Sequence, residues 1–152
     1  MTITKVLVPS GVLGLGFDIE ALKHGIKNKP DIISIDGGST DSGPASLGSG
    51  TSKYSRAAIK SEWKTLMQAR KEANVPLIIG TCGTCGTNSM VDWMEEITIE
   101  LAEELGQSLK IAKLYCEQNI DFLKNKLKIN KIFPLEPAPT LNVHLLDDLS
   151  HV

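Results

Sequence analysis

The chain has 152 residues, of which 41% are hydrophobic and 22% are charged, and its formal net charge is −2. This length predicts one domain that is large enough for a hydrophobic core. The charge is nearly balanced and forms no basic stripe, which argues against nucleic acid as a partner, and no apolar run is long enough to span a membrane.

Strands and helices alternate along the chain. Continuous apolar runs predict the strands, and apolar residues at helical spacing predict the helices. The predicted strands are residues 5–9, 31–36, 75–79, 109–115 and 132–133. The predicted helices are residues 17–27, 55–74, about 88–105 and 117–128. This order predicts an α/β fold with three layers, Rossmann-like, in which helices cover both faces of a mostly parallel sheet.

The last part of the chain has a different composition. Residues 1–133 are predicted to form an α/β ligand-binding domain, whereas residues 134–152 contain Pro134, Pro137 and Pro139 and read as a tail or the start of a second module. The expected partner is therefore a second subunit or a carboxyl-terminal module, and a homo-oligomer is left open. If a second subunit or module covers part of this chain, an apolar patch near the carboxyl end should be exposed on the chain alone.

Three glycine-rich loops, residues 10–16, 37–55 and 80–88, each follow a predicted strand and precede a helix. In a parallel sheet such loops meet at the carboxyl edge, where ligands bind. Their backbone N–H groups are suited to an anion, although glycines also serve simple tight turns. The sequence therefore predicts a small anionic ligand. Its predicted contacts are Ser10, Gly11, Gly37, Gly38, Ser39, Thr40, Ser42, Tyr54, Gly80, Thr81, Cys82, Gly83, Thr84, Gly86 and Asn88.

Three carboxylates are the candidates for catalysis. Asp36 ends the second predicted strand, Asp41 follows in the long loop, and Glu117 follows the fourth predicted strand. Each is a candidate for proton transfer or for metal binding. Glu117 has an equally good alternative role, which is to favour the start of the next helix through its dipole. Asn88 or Ser89 is likewise a candidate helix cap.

Two nucleotide-binding patterns are close but imperfect. Residues 10–16 have glycines near a strand end, but their spacing differs from the dinucleotide fingerprint G-x-G-x-x-G. Residues 35–40 are similar to the first phosphate loop of sugar kinases and actin-like ATPases. That loop joins two antiparallel strands, and here no second strand follows.

The cysteines and tryptophans have simpler explanations. Three cysteines, an odd number, argue against a disulfide framework and indicate a reducing, cytoplasmic location. Cys82 and Cys85 form a C-x-x-C pair, which suits a redox pair or half a zinc site but is better explained as small residues lining a loop. Trp63 and Trp93 are predicted in the core, and charged residues such as Lys60, Glu62, Lys64 and Glu103 on a solvated surface.

Several motifs together resemble one family. They are Pro9-Ser-Gly11, the block from Ile35 to Pro44, Leu47-Gly-Ser-Gly50, Pro76 to Gly80 and Glu117-Gln118. This set resembles the amino-terminal part of the acyclic terpene utilisation AtuA family, whose members are longer. The resemblance implies a module or subunit of a catabolic enzyme that acts on a small carboxylate or a CoA thioester. The family does not require thiols at the positions of Cys82 and Cys85.

Overall fold

The computed structural model describes residues 3–38, 45–149 and 151. Its strands are β1 (Val6–Leu7), β2 (Ile32–Asp36) and β3 (Leu77–Gly80). Its α-helices are α1 (Ile19–Lys27), α2 (Ala45–Ser49), α3 (Arg56–Ala73), α4 (Asn88–Leu105) and α5 (Ile120–Lys128). A short 3₁₀ helix spans Leu145–Asp148.

The three strands form one parallel sheet in the order β1-β2-β3. Ile33 of β2 lies between Leu7 of β1 and Leu77 of β3, and Asp36 pairs with Gly80 where the strands end. A mixed α/β fold with a parallel sheet is therefore confirmed. Helix α2, inside the second glycine-rich loop, was not predicted, because its five residues contain no buried side chain and no apolar periodicity.

The core lies between one face of the sheet and the helices α1, α3 and α4. Ile33 and Ile35 are buried on this face, and β1 and β3 contribute partly buried side chains beside them. Trp63 lies in this core as predicted, and its indole Nε1 donates to Thr98 Oγ1 at 2.9 Å. On the opposite face, Val6 is 56% exposed and Ile78 is 50% exposed. The described residues therefore contain a packed core on only one face of the sheet.

The fourth and fifth predicted strands are wrong. Residues 109–115 and 132–133 join no strand ladder within the described part of the chain. Side chains of α4 hold residues 109–115 instead, because Lys113 forms ion pairs with Asp92 and Glu95. An apolar run becomes a strand only when a neighbouring edge supplies its hydrogen bonds.

Four of the helices begin directly after a residue whose side chain caps the first turn. Asp18, Ser55, Thr87 and Asn119 precede α1, α3, α4 and α5, and each side chain accepts hydrogen bonds from N–H groups of the first turn. The cap of α4 is Thr87, which is fully buried. Asn88 and Ser89, the predicted caps, are the first two residues of the helix.

A row of ion pairs joins α3 to α4. Lys60 contacts both Glu100 and Glu104, Arg56 binds Glu100 at 2.8 Å, and Lys64 binds Glu104 at 2.9 Å. Hydrogen bonds from Lys60 and Lys64 lower the pKa of Glu104 to about 2. These lysines, predicted on a solvated surface, thus also connect two helices. Each pair is partly exposed, so its contribution to stability is small.

Among the described helices, none has both the length and the apolar character needed to cross a bilayer.

Candidate functional site at the carboxyl edge of the sheet

The three glycine-rich loops meet at the carboxyl edge of the sheet, as predicted. The first loop reaches the end of β2 through Leu13, whose N–H donates to Asp36 O at 2.8 Å. The second and third loops are joined where Gly37 N donates to Gly80 O at 2.7 Å and Thr84 N donates to Gly37 O at 3.0 Å. The sheet therefore places the loops side by side.

Gly37 and Gly38 are required for close packing between the second and third loops. A Cβ atom added at Gly38 would lie 2.6 Å from Thr84 O, and one at Gly37 would lie 2.8 Å from Gly80 O. Only glycine allows the backbones to approach so closely. The N–H of Gly38 donates to Asp36 Oδ1 at 2.8 Å, so the N–H groups of both glycines already have protein acceptors.

The third loop contains two threonines in the left-handed backbone region. Thr81 has φ 48° and Thr84 has φ 72°, and Thr84 is buried. A β-branched side chain is rare in this region, and each such residue costs about 1–3 kcal/mol. Gly83 and Gly86 also have positive φ, which glycine adopts without this cost. The strained threonines could not be predicted, because a run of Gly, Thr and Cys residues indicates only a loop.

The first loop is closed by a side chain from α3. Both carboxylate oxygens of Glu62 accept backbone N–H bonds, one from Gly14 and one from Gly16, each at 2.7 Å. Ser10 Oγ accepts from Val12 N at 3.2 Å within the same loop, and Gly11 has open space beside it. Glu62 was predicted on a solvated surface, and it is half-buried there, but the sequence did not indicate its contact with a loop 46–48 residues earlier in the chain.

Tyr54 and Lys53 connect the long second loop to the other two. The Tyr54 side chain packs so closely on Gly14 that an added Cβ would lie 2.8 Å from its ring. Lys53 N donates to Thr84 Oγ1 at 3.1 Å. Tyr54 thus contributes to loop packing, and its contact with a ligand stays a prediction. Ser39, Thr40, Asp41 and Ser42 lie outside the described residues.

Glu117 lies at the start of α4, where an anion was expected. Glu117 Oε1 accepts from Asn88 N at 2.9 Å and lies 3.1 Å from His151 Nδ1. The carboxylate therefore complements the dipole of α4. Asn88 Oδ1 is buried and has no hydrogen-bond partner among the described residues. His151 was not predicted here, because isolated histidines at distant positions carry no spacing signal.

The thiols of the third loop differ in their environments. Burial raises the pKa of Cys82 to about 11, whereas Cys85 is half-buried with its Sγ 3.4 Å from Thr87 Oγ1. Cys116 is exposed. Within the described parts of the chain, no group of three or more His, Cys, Asp or Glu side chains is arranged to hold a metal ion.

We expect the three cysteines to react with iodoacetamide in the order Cys116, Cys85, Cys82. At pH 7.5 a thiol with a pKa of about 11 is ionised in roughly one molecule in three thousand, and only the thiolate reacts. Peptide mass spectrometry over time at pH 7.5 and 9.0 measures the order, and urea should make Cys82 react at the rate of the others. Rapid labelling of Cys82 in the folded chain would contradict its buried placement and favour a redox role.

The described cavities lie away from this edge. A concave region of about 530 Å³ is lined by Ile99, Gly106, Gln107, Leu109 and Ile111, at the carboxyl end of α4. This region is shallow and includes no residue of the three loops. The carboxyl edge is the stronger candidate site, because it combines left-handed threonines, the buried Asn88 Oδ1 without a hydrogen-bond partner and two carboxylates, Asp36 and Glu117.

No family model matches the chain, and neither a curated protein nor a solved structure matches it.

Proposed function

We propose that this chain is the amino-terminal module or a subunit of a catabolic enzyme that acts on a small carboxylate or its CoA thioester. The site is the carboxyl edge of the sheet. The observation that carries this proposal is the pair of left-handed threonines, Thr81 and Thr84, in the loop that packs on Gly37 and Gly38. Backbone strain of this kind is retained where a loop must present particular groups. The resemblance to the AtuA family supports the same substrate class.

Asp36 and Glu117 are the proposed proton-transfer groups within the described residues, and Asp41 is the third. Asp36 Oδ1 accepts from Gly38 N at 2.8 Å, and proton transfer is proposed for the other oxygen of this carboxylate. The N–H groups of Gly37, Gly38, Thr84 and Gly86 are used within the protein, so they do not form the anion nest that the sequence predicted. An anionic group would instead be bound by hydroxyl groups and by the remaining N–H groups. Asn88 Oδ1 would accept a hydrogen bond from a donor group elsewhere on the ligand.

Ligand binding tests this proposal directly. We expect acetyl-CoA, a branched acyl-CoA or succinate to raise the melting temperature, since a ligand that binds the folded state stabilises it by about 2.7 kcal/mol at one hundred times its Kd. Asp36→Asn should change the affinity for acetyl-CoA at least tenfold, because it removes a negative charge at the proposed anion site while keeping the acceptor for Gly38 N. Asp31→Asn is the matched control, because Asp31 lies just before the other end of the same strand and accepts from Lys5 N at 2.7 Å.

Two results would refute the proposal. If none of these probes shifts the melting temperature of the chain, it does not bind this class of ligand on its own. If Asp36→Asn and Asp31→Asn change the affinity equally, the site is not at the carboxyl edge.

A second candidate function is a non-catalytic subunit that binds a ligand or nucleotide and works only with a partner chain. The observation in its favour is the exposure of large apolar side chains after α4, where Leu114 is 81% exposed, Phe133 is 74% exposed and Leu135 is 87% exposed. Leu146 is the one buried hydrophobic residue among residues 107–149. A second module could also cover Val6 and Ile78, which would complete the three-layer, Rossmann-like arrangement.

The two candidates differ in what a partner would add. Light scattering on the chain at increasing concentration should show self-association or aggregation under the second candidate. A stable monomer that binds a CoA ester with measurable turnover would favour the first candidate.

A further inference from the structure

The segment after α5 returns to the carboxyl edge of the sheet. Lys124 of α5 forms an ion pair with Asp147 of the 3₁₀ helix, and Leu146 beside it is only 4% exposed. A few residues further on, His151 reaches the start of α4. The segment is attached by the buried Leu146 side chain, by the ion pair of Asp147 and by the contact of His151 with Glu117.

His151 is held from two sides. Its Nδ1 lies 3.1 Å from Glu117 Oε1, and both side chains are about one quarter exposed, at 23% and 24%. The other side of the ring lies against Gly50, where an added Cβ would be 2.2 Å from Nε2 and 2.6 Å from Cδ2. The imidazole therefore occupies the space that a side chain at position 50 would need.

Glu117 contacts both the segment after α5 and the start of α4 at the candidate site. The same carboxylate oxygen contacts His151 Nδ1 and accepts from Asn88 N. While both contacts are made, this oxygen is engaged by two groups of the protein. A change in the position of His151 would expose it.

We propose that His151 is a latch that closes residues 141–149 onto the carboxyl edge and covers the Glu117 carboxylate. The latch opens when the contacts to Glu117 and Gly50 break together, and the segment then leaves the edge. The covering of Glu117 is an autoinhibitory contact, and this part rests on the proposed function.

Hydrogen exchange measures the latch without any ligand. The amides of His144, Leu145 and Asp147 donate hydrogen bonds to Asn142 Oδ1 and His144 O within the segment, so their exchange reports on the order of the segment. We expect His151→Ala to speed their exchange at least tenfold. His144→Ala is the matched control, because His144 lies in the same segment and is exposed.

A glycine pair provides a second, independent variant. Gly50 has φ 64° and Gly106 has φ 57°, so alanine is strained to a similar degree at both positions. An added Cβ collides with His151 only at Gly50 and meets nothing within 4 Å at Gly106. Gly50→Ala should therefore speed exchange in residues 144–147, whereas Gly106→Ala should not.

The outcomes separate the latch from the proposed function. Unchanged exchange in His151→Ala, or equal effects of the two glycine variants, would overturn the latch. If His151→Ala speeds the exchange and also binds acetyl-CoA at least threefold more tightly, both the latch and the covering of Glu117 are supported. Faster exchange with unchanged acetyl-CoA affinity would overturn the covering role. Faster exchange in a chain that binds none of acetyl-CoA, a branched acyl-CoA and succinate would refute the proposed function and the covering role but retain the latch contact.

Discussion

Replacing Gly38 with alanine is expected to destabilise the fold by about 3 kcal/mol, at the upper end of the cost of overpacking. The added methyl group would lie 2.6 Å from Thr84 O, 2.8 Å from Thr84 Cα and 2.7 Å from Thr81 Cγ2. The two Thr84 atoms belong to the backbone, which cannot rotate away as a side chain can. Both threonines already have left-handed backbone conformations, so a shift of the loop would add to their strain. The melting temperature should fall by roughly 6–12 °C for a domain of this size.

Gly11→Ala is the control for this substitution. Gly11 belongs to the first loop at the same edge, and a Cβ there meets nothing within 4 Å. Its effect should stay within about 1 kcal/mol and can be stabilising, since alanine reduces the conformational freedom of the unfolded chain. Urea unfolding followed by tryptophan fluorescence gives both values. Equal stability of the two variants would show that the second and third loops are not packed as described.

Removing the carboxylate of Glu62 is the second substitution with a large expected effect. Glu62→Ala should cost about 3 kcal/mol, because two backbone N–H groups lose a charged acceptor and each such bond contributes about 1.5–3 kcal/mol. Glu62→Gln should cost roughly half as much, since its amide oxygen still accepts one bond. Hydrogen exchange at Gly14 and Gly16 should become faster in both variants.

Glu72→Ala is the matched control for Glu62. Glu72 is exposed and lies on the same helix, α3, so its loss should change stability by less than about 0.5 kcal/mol. Protection of Gly14 and Gly16 that survives in Glu62→Ala would mean that the first loop is held by its own turns.

The parts of the fold that local patterns determine were predictable. Apolar runs located β2 and β3, helical spacing located α3 and α4, and the end of α4 at Gly106 followed from a left-handed glycine. The convergence of the loops also followed, because parallel strands end at one edge. The fourth strand was wrong because an apolar run such as residues 109–115 does not specify its partner. Its lysine, Lys113, binds α4 instead.

The long-range contacts of the candidate site could not be predicted. Glu62 and His151 each act on residues far away in sequence, and a single charged or imidazole side chain on a helix or a tail has no pattern that names its partner. The use of glycine N–H groups was misjudged for a related reason. A glycine can be needed because its N–H binds a ligand or because a neighbouring backbone packs against it. The sequence does not distinguish these two uses, and in the structure Gly38 packs against Thr84.

The ion pairs between α3 and α4 have a consequence for the spacing of the loops. Helix α3 holds the first loop through Glu62, and α4 begins at the end of the third loop with Thr87. Lys60 and Glu104 therefore connect the supports of two different loops. Because partly exposed ion pairs weaken as ionic strength rises, high salt should loosen this connection between the two supports while the buried core between α3 and α4 stays packed.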